Sequence, residues 1–232
     1  MPYIEKRIYS GPMLEIERYP ASVNGRQIGR SQKGKPSSSA QQNLNDKNAK
    51  KKLIRLLNTN FSRNDLFVNL TYGIPPTETK AKRAMTNYLR RVKAYRNRKG
   101  LKPLKYLAVT EVAGGRWHHH IVMNCDGLTM DEAEQLWQDG RVNISRLRPD
   151  EFGLEGLARY IVKKPSGARR WQQSKNLKKP IFTEPKFIKR LNIYRPPKPP
   201  KGYLVVDVET SDNIFTGLYQ YITLRKIDAA ML

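Results

Sequence analysis

The sequence predicts an α+β fold in which helices pack on an antiparallel sheet, with basic extensions at both ends of the chain. Three observations lead there. Between residues 61 and 165, runs of β-branched and aromatic residues alternate with stretches of helical apolar spacing, in the order β-α-β-β-α-β plus one more helix. Gly114-Gly115 separates two of these strands in the manner of a tight hairpin. The segments on either side are rich in Lys and Arg.

Residues 1–60 read as a partly flexible N-terminal extension. Tyr3–Ile8 and Met13–Tyr19 are candidate short strands, residues 24–48 a polar loop, and Asn48–Leu57 a basic helix carrying Lys50, Lys51, Lys52 and Arg55. In the core, Leu66–Tyr72 is a strand stopped by Gly73–Pro76. Thr77–Lys99 is a helix with Ala81, Ala84, Met85, Tyr88, Leu89, Val92 and Tyr95 inward. Lys80, Lys82, Arg83, Arg90, Arg91, Lys93, Arg96 and Arg98 are placed on its outer face. Leu104–Val112 and Trp117–Asn124 form the hairpin. Thr129–Asp139 is a helix opened by a capping box of Thr129 and Glu132. Arg141–Leu147 is a strand, and Asp150–Lys164 a helix.

That order is the ferredoxin-like split βαβ arrangement, which RNA-recognition modules share. Fold class alone therefore does not choose a function. Residues 166–232 read as a second basic extension, with Pro196–Pro200 as a stiff connector and short strands at Tyr203–Thr210 and Leu218–Leu224 packing on the core.

Composition narrows the partners. The chain has 232 residues with 44 Lys+Arg and 20 Asp+Glu, a formal net charge of +24. Such a charge favours polyanions and would burden an enzyme of small neutral substrates with self-repulsion. No run approaches the ~18 apolar residues of a membrane span, and the N-terminus does not read as a secretory signal. The single cysteine, Cys125, excludes an internal disulfide framework and a multi-cysteine zinc site. A cytoplasmic nucleic-acid-binding protein is the expectation.

The three histidines of the chain are consecutive: His118, His119 and His120. On a strand His118 and His120 share one face and His119 takes the other. A turn centred on Gly114-Gly115 pairs Ala113 with Arg116, Val112 with Trp117 and Glu111 with His118. Directly opposed Cβ atoms lie roughly 4.5–5.5 Å apart, so Glu111 joins His118 and His120 on one face. Two imidazoles and a carboxylate suit Mg²⁺ or Mn²⁺ acting on phosphate, and also accommodate Fe²⁺ or Zn²⁺. The plainer alternative is a polar surface strand. The Glu opposite and the apolar context weigh against it.

Tyr160 stands on the last core helix, with Lys163 and Lys164 at i+3 and i+4 on its face. An ammonium nearby favours the phenolate that a tyrosine needs to attack phosphorus. Alone, with 12 tyrosines in the chain, a packing tyrosine would be the better reading.

Together the two motifs carry a resemblance. Leu66–Tyr72, then Glu111 with Gly115-Arg-Trp-His-His-His-Ile-Val122, then Tyr160-Ile-Val-Lys163, resemble the motifs of HUH endonucleases in their order. More narrowly, the chain is similar to the single-tyrosine rolling-circle replication initiators of phages and plasmids over about residues 55–190. The tract Arg169–Pro180 resembles the segment after the helix in phage-type initiators. The middle position, usually a bulky hydrophobe, is His119 here, and no second tyrosine lies one turn from Tyr160. No P-loop helicase motif is present.

The resemblance implies metal-assisted transesterification of single-stranded DNA. Glu111, His118 and His120 would hold Mg²⁺ or Mn²⁺. Tyr160 would form a 5′-phosphotyrosine with help from Lys163 or Lys164, leaving a 3′-hydroxyl for priming. It also implies an origin as substrate, and a host helicase and polymerase as partners in a bacterial cytoplasm. Arg116, Arg169, Arg170, Lys178 and Lys179 are candidate DNA contacts, and Trp117, Trp171 and Tyr72 are equally core or base-stacking residues. A single-tyrosine transposase or mobilisation relaxase shares the chemistry. A non-catalytic RRM-like RNA-binding protein shares only the fold. An iron oxygenase would leave the charge unexplained.

Overall fold

The computed structural model describes residues 2–21, 39–162, 170–192, 198–213 and 217–227. In chain order the elements are β1 (Tyr3–Ser10), β2 (Met13–Pro20), α1 (Ser39–Asn60), β3 (Leu66–Thr71), α2 (Glu78–Arg98), β4 (Tyr106–Ala113) and β5 (Arg116–Met123). They continue with α3 (Met130–Gln135), β6 (Val142–Arg146), α4 (Glu155–Ile161), β7 (Gln172–Gln173), β8 (Ile181–Phe182), β9 (Lys186–Ile188), β10 (Tyr203–Asn213) and β11 (Gly217–Lys226). This is a mixed α/β protein with two antiparallel sheets and four helices among the described residues. No described helix is long and apolar enough to cross a membrane.

The chain divides into two units. A core unit comprises residues 56–150 and 154–178, and a terminal unit residues 1–55, 151–153 and 179–232.

The core unit holds a sheet of order β6-β3-β5-β4-β7. Strand alternation gives it two faces. Leu66, Val68 and Leu70 of β3 are fully buried on one face, where Ala84, Met85, Tyr88, Leu89 and Val92 of α2 pack with Trp137. Each such large apolar side chain contributes about 1.5–3 kcal/mol through burial. Phe67, Asn69 and Thr71 take the opposite face by the same alternation.

Several expectations change at element ends. The α2 stripe continues to Arg96, not outward: Arg96 is fully buried. Its guanidinium donates to the carbonyls of Lys102 (2.8 Å), Asn124 (3.1 Å) and Cys125 (2.8 Å). It thus satisfies loop backbone that packing has removed from water. The helix expected over Thr129–Asp139 has its capping box but ends at Gln135. Beyond it, Gly73 N donates to Asp139 O and Thr71 N to Arg141 O, so this stretch must extend to bring β6 beside β3. The helix expected from Asp150 starts at Glu155, because Gly153 has φ 70°, a left-handed conformation that a right-handed helix cannot include.

α1 is longer than the expected Asn48–Leu57. It begins at Ser39, inside the stretch read as loop, where Ala40, Gln41, Gln42, Leu44 and Lys47 are adequate helix formers. Leu53, Leu56 and Leu57 are its buried apolar positions. The rest of that expected loop, residues 24–38, lies outside the described residues, as do residues 196 and 197 of the connector at 196–200.

In the terminal unit, the segments read as two separate extensions become one sheet of order β10-β11-β2-β1-β8, with β9 also pairing β1. The joining pair is β11 with β2, from Gln220 opposite Arg18 to Arg225 opposite Met13. Leu14, Ile16, Ile222 and Leu224 form its buried cluster. A hairpin alone is marginal in water, and this pairing gives each hairpin an apolar partner. On the other face, Arg55 of α1 binds Glu15 (2.6 Å) and Glu17 (3.0 Å).

Candidate active site

The site is built on the β4–β5 hairpin. Gly114 and Gly115 have φ 57° and 75°, the two positive values that a type I′ turn needs. The turn sets the register: Ala113 opposite Arg116, Val112 opposite Trp117, Glu111 opposite His118. β3 lies on the other side of β5, with Asn69 opposite His120, Leu70 opposite His119 and Thr71 opposite His118.

His119 belongs to the helix-covered face. It is fully buried. Its Nε2 lies 2.7 Å from Tyr72 Oη, which donates onward to Ala81 O, and its Nδ1 lies 2.9 Å from Thr110 Oγ1. Burial, reinforced by the neighbouring His120 and His118, pushes its pKa down to about 4, so the ring is neutral. Tyr72, one of the three aromatics weighed for base stacking, is committed to this cluster, packing edge-on against His119 and Trp137.

His120 faces the other way. Its Nε2 is 3.2 Å from Glu111 Oε2, and its Nδ1 is 2.5 Å from Asn69 Oδ1. An amide oxygen only accepts, so Nδ1 carries the proton and the neutral ring turns a lone pair toward the carboxylate. Burial lowers the pKa of His120 and outweighs the opposing pull of Glu111, which favours that neutral form. A neutral imidazole and a carboxylate with converging lone pairs are cation donors, and the Asn69 contact has the form of an outer-shell bond that orients a ligating histidine.

Two donors converge and the third is adjacent but not gathered in. His118 is the direct register partner of Glu111, yet the described residues contain no group of three His, Cys, Asp or Glu side chains arranged to hold a metal ion.

Tyr160, near the end of α4, presents its ring to the same place. It stands edge-on to His120, with centroids 5.5 Å apart and planes at 70°, and edge-on to Phe67 at 6.4 Å. Phe67 stacks on His120 at 6.0 Å. α4 is anchored below the tyrosine by buried Ala158 and Ile161 and at its start by Asn58 Oδ1, which accepts from Leu154 N at 2.8 Å. Tyr160 itself remains 50% exposed, which leaves the ring reachable from solvent.

Lys163, Lys164 and Arg169 lie outside the described residues. Arg116 is exposed at the first position of β5, Arg170 is partly buried, and Lys178 and Lys179 are exposed. The Lys178 backbone is held by Asn60, through N to Oδ1 at 2.7 Å and Nδ2 to O at 2.9 Å. Trp171 donates to Gln173 Oε1 at 2.9 Å.

Asn69 and Phe67 were not identified from sequence. A polar residue inside an apolar strand was the available signal for Asn69, but its contact depends on β3 pairing with β5, which is not its neighbour in sequence.

Residues 65–166 match the family model for replication-associated protein ORF2/G2P, consistent with a rolling-circle replication initiator. Neither a curated protein nor a solved structure matches the chain significantly. The matched segment contains β3, the β4–β5 hairpin and α4, and so Glu111, His118, His120 and Tyr160.

Proposed function

We propose that the core unit nicks and rejoins single-stranded DNA to initiate rolling-circle replication, with Tyr160 as nucleophile. The observation that carries this reading is the flanking of one neutral imidazole, His120, by the Glu111 carboxylate and the Tyr160 ring on one sheet face. The sheet order β6-β3-β5-β4, with helices between, supports the ferredoxin-like topology of HUH endonucleases. The family match favours replication over transposition or mobilisation.

Glu111 and His120 would hold a divalent cation, Mg²⁺ or Mn²⁺, with His118 as the third donor beside them. When bound, such an ion polarises a phosphate oxygen and offsets charge that develops in the transition state. Tyr160 gives up its phenolic proton and attacks phosphorus. The P–O3′ bond breaks, the 3′-oxygen leaves and takes a proton, and a 5′-phosphotyrosine remains. The phosphoester count is unchanged, so the reverse attack by a 3′-hydroxyl rejoins strands without ATP. Asn69 fixes the His120 ring throughout. The basic charge of the chain draws the polyanion in, and the reaction belongs in the cytoplasm of a host that supplies helicase and polymerase.

The test is incubation with single-stranded oligonucleotides and Mn²⁺, followed by denaturing electrophoresis. A covalent protein–DNA band from the native chain that disappears in Tyr160→Phe is expected. A band that survives this substitution moves the nucleophile elsewhere, and no band with origin-bearing DNA removes the reading. Mapping the nicked sequence separates an origin from a transposon end or transfer origin.

A further inference from the structure

The core-unit site leaves one conspicuous surface unused, at the β8–β9 edge of the terminal unit. Phe187 is 77% exposed, Ile181 67% and Phe182 49%. Exposed aromatics on an edge strand are a liability unless something uses them. Their arrangement is ordered. Phe187 pairs with Ile4 of β1 and Phe182 with Ile8. Directly opposed residues share a face, so both rings stand on the face of β1 that carries Lys6 midway between them. Four residues of strand separate the two positions by about 13 Å. The Lys6 ammonium lies 4.9 Å from the centre of the Phe182 ring, and the Arg55 guanidinium 5.8 Å.

The exposed charge around these rings is mostly positive. Lys179, Lys186, Lys189 and Arg190 are all exposed, against Glu184 as the acid of that stretch. The carboxylates of the neighbouring strands are already engaged. Glu5 binds Arg7 (2.9 Å) and Arg18 (2.6 Å), while Glu15 and Glu17 bind Arg55. Little remains to neutralise the edge.

We propose that the β8–β9 edge is a non-catalytic platform for single-stranded DNA, with Phe182 and Phe187 stacking on bases and Lys6, on the same face between them, meeting phosphate. Spaced aromatics between cations are the chemistry of sequence-tolerant single-strand binding, since every base has a π-face and every linkage a charge. A protein partner would match the apolar rings but not the surrounding lysines. The platform needs no nicking, so it stands or falls separately from the role of Tyr160.

The experiment measures binding of a fluorescent oligodeoxythymidylate by anisotropy in EDTA, where metal-assisted cleavage is silent. Phe182→Ala/Phe187→Ala in the full chain is expected to bind about tenfold more weakly or worse, with the salt slope unchanged. Lys6→Gln is expected to reduce the magnitude of that slope by about 0.7. Phe182→Trp/Phe187→Trp keeps native affinity, which separates lost stacking from lost folding. A 5-iododeoxyuridine oligonucleotide is expected to photocrosslink within residues 181–188. Native affinity in the double alanine variant overturns the proposal. So does failure of the double tryptophan variant to bind, or tighter binding of the matching oligoribonucleotide.

Discussion

The Nδ1 of His120 lies 2.5 Å from the Oδ1 of Asn69, a residue 51 positions earlier in the chain. The contact crosses from β5 to β3, and it orients the imidazole whose Nε2 faces Glu111. Asn69 is a positioning residue, and its removal should act through the cation rather than through DNA. Asn69→Ala is expected to raise the Mn²⁺ concentration for half-maximal cleavage about 10- to 100-fold. The maximal rate at saturating Mn²⁺ should fall much less. Asn69→Asp, which keeps an acceptor, should restore most of the difference. A metal titration of each variant decides; equal titration curves would reduce Asn69 to packing.

Removing the cation should separate chemistry from binding. EDTA, or Glu111→Ala, is expected to abolish the covalent product while single-stranded DNA affinity changes less than about threefold. The basic surface, not the carboxylate, supplies that affinity through phosphate contact. Nicking that persists in EDTA would exclude the cation.

His119 should behave as a core residue despite its place in the triplet. Its ring is fully buried between Tyr72 and Thr110. His119→Ala opens a cavity and removes the ring that joins two hydroxyls, so a loss of about 3 kcal/mol in unfolding free energy is expected. Mn²⁺ affinity of the folded fraction should be unchanged. Chemical denaturation and metal titration on the same preparation test both halves.

Acid should weaken the terminal unit through Glu5. Burial alone would raise its pKa, but hydrogen bonds and charges from Arg18 and Arg7 outweigh burial and hold it below the ordinary 4.5. A depressed carboxylate stabilises the fold above its unfolded pKa, and the contribution is lost as pH falls from about 4.5 toward the lower folded value. Stability is therefore expected to decline with acid below about pH 4.5, and Glu5→Gln to show a shallower decline. Denaturation midpoints between pH 3 and 6 measure the difference in slope. Identical slopes would show that Glu5 is not the linked group.

Much of the core unit was legible because its rules are local. The His-Glu juxtaposition followed from a two-glycine turn and strand alternation, and the register came out as expected, with Glu111 opposite His118. The α2 stripe was legible from 3.6-residue spacing until Arg96, where the sequence offers a cation and only the surrounding loop carbonyls explain its burial. α4 was placed too early because Gly153 reads as tolerable in a helix until its φ of 70° is known.

By itself the sequence determined the net charge, the order of core elements, and the sharing of a sheet face by Glu111, His118 and His120. Those depend on composition, periodicity and one tight turn. Tertiary structure alone decided that β3 lies against β5, bringing Asn69 and Phe67 to His120, and that α4 aims Tyr160 at the same ring. It also decided that residues from opposite ends of the chain form one sheet, exposing Phe182 and Phe187 on its edge. The physical reason is the same in each case. Pairing between strands distant in sequence is chosen by which apolar faces can be buried together, and no local pattern encodes the partner.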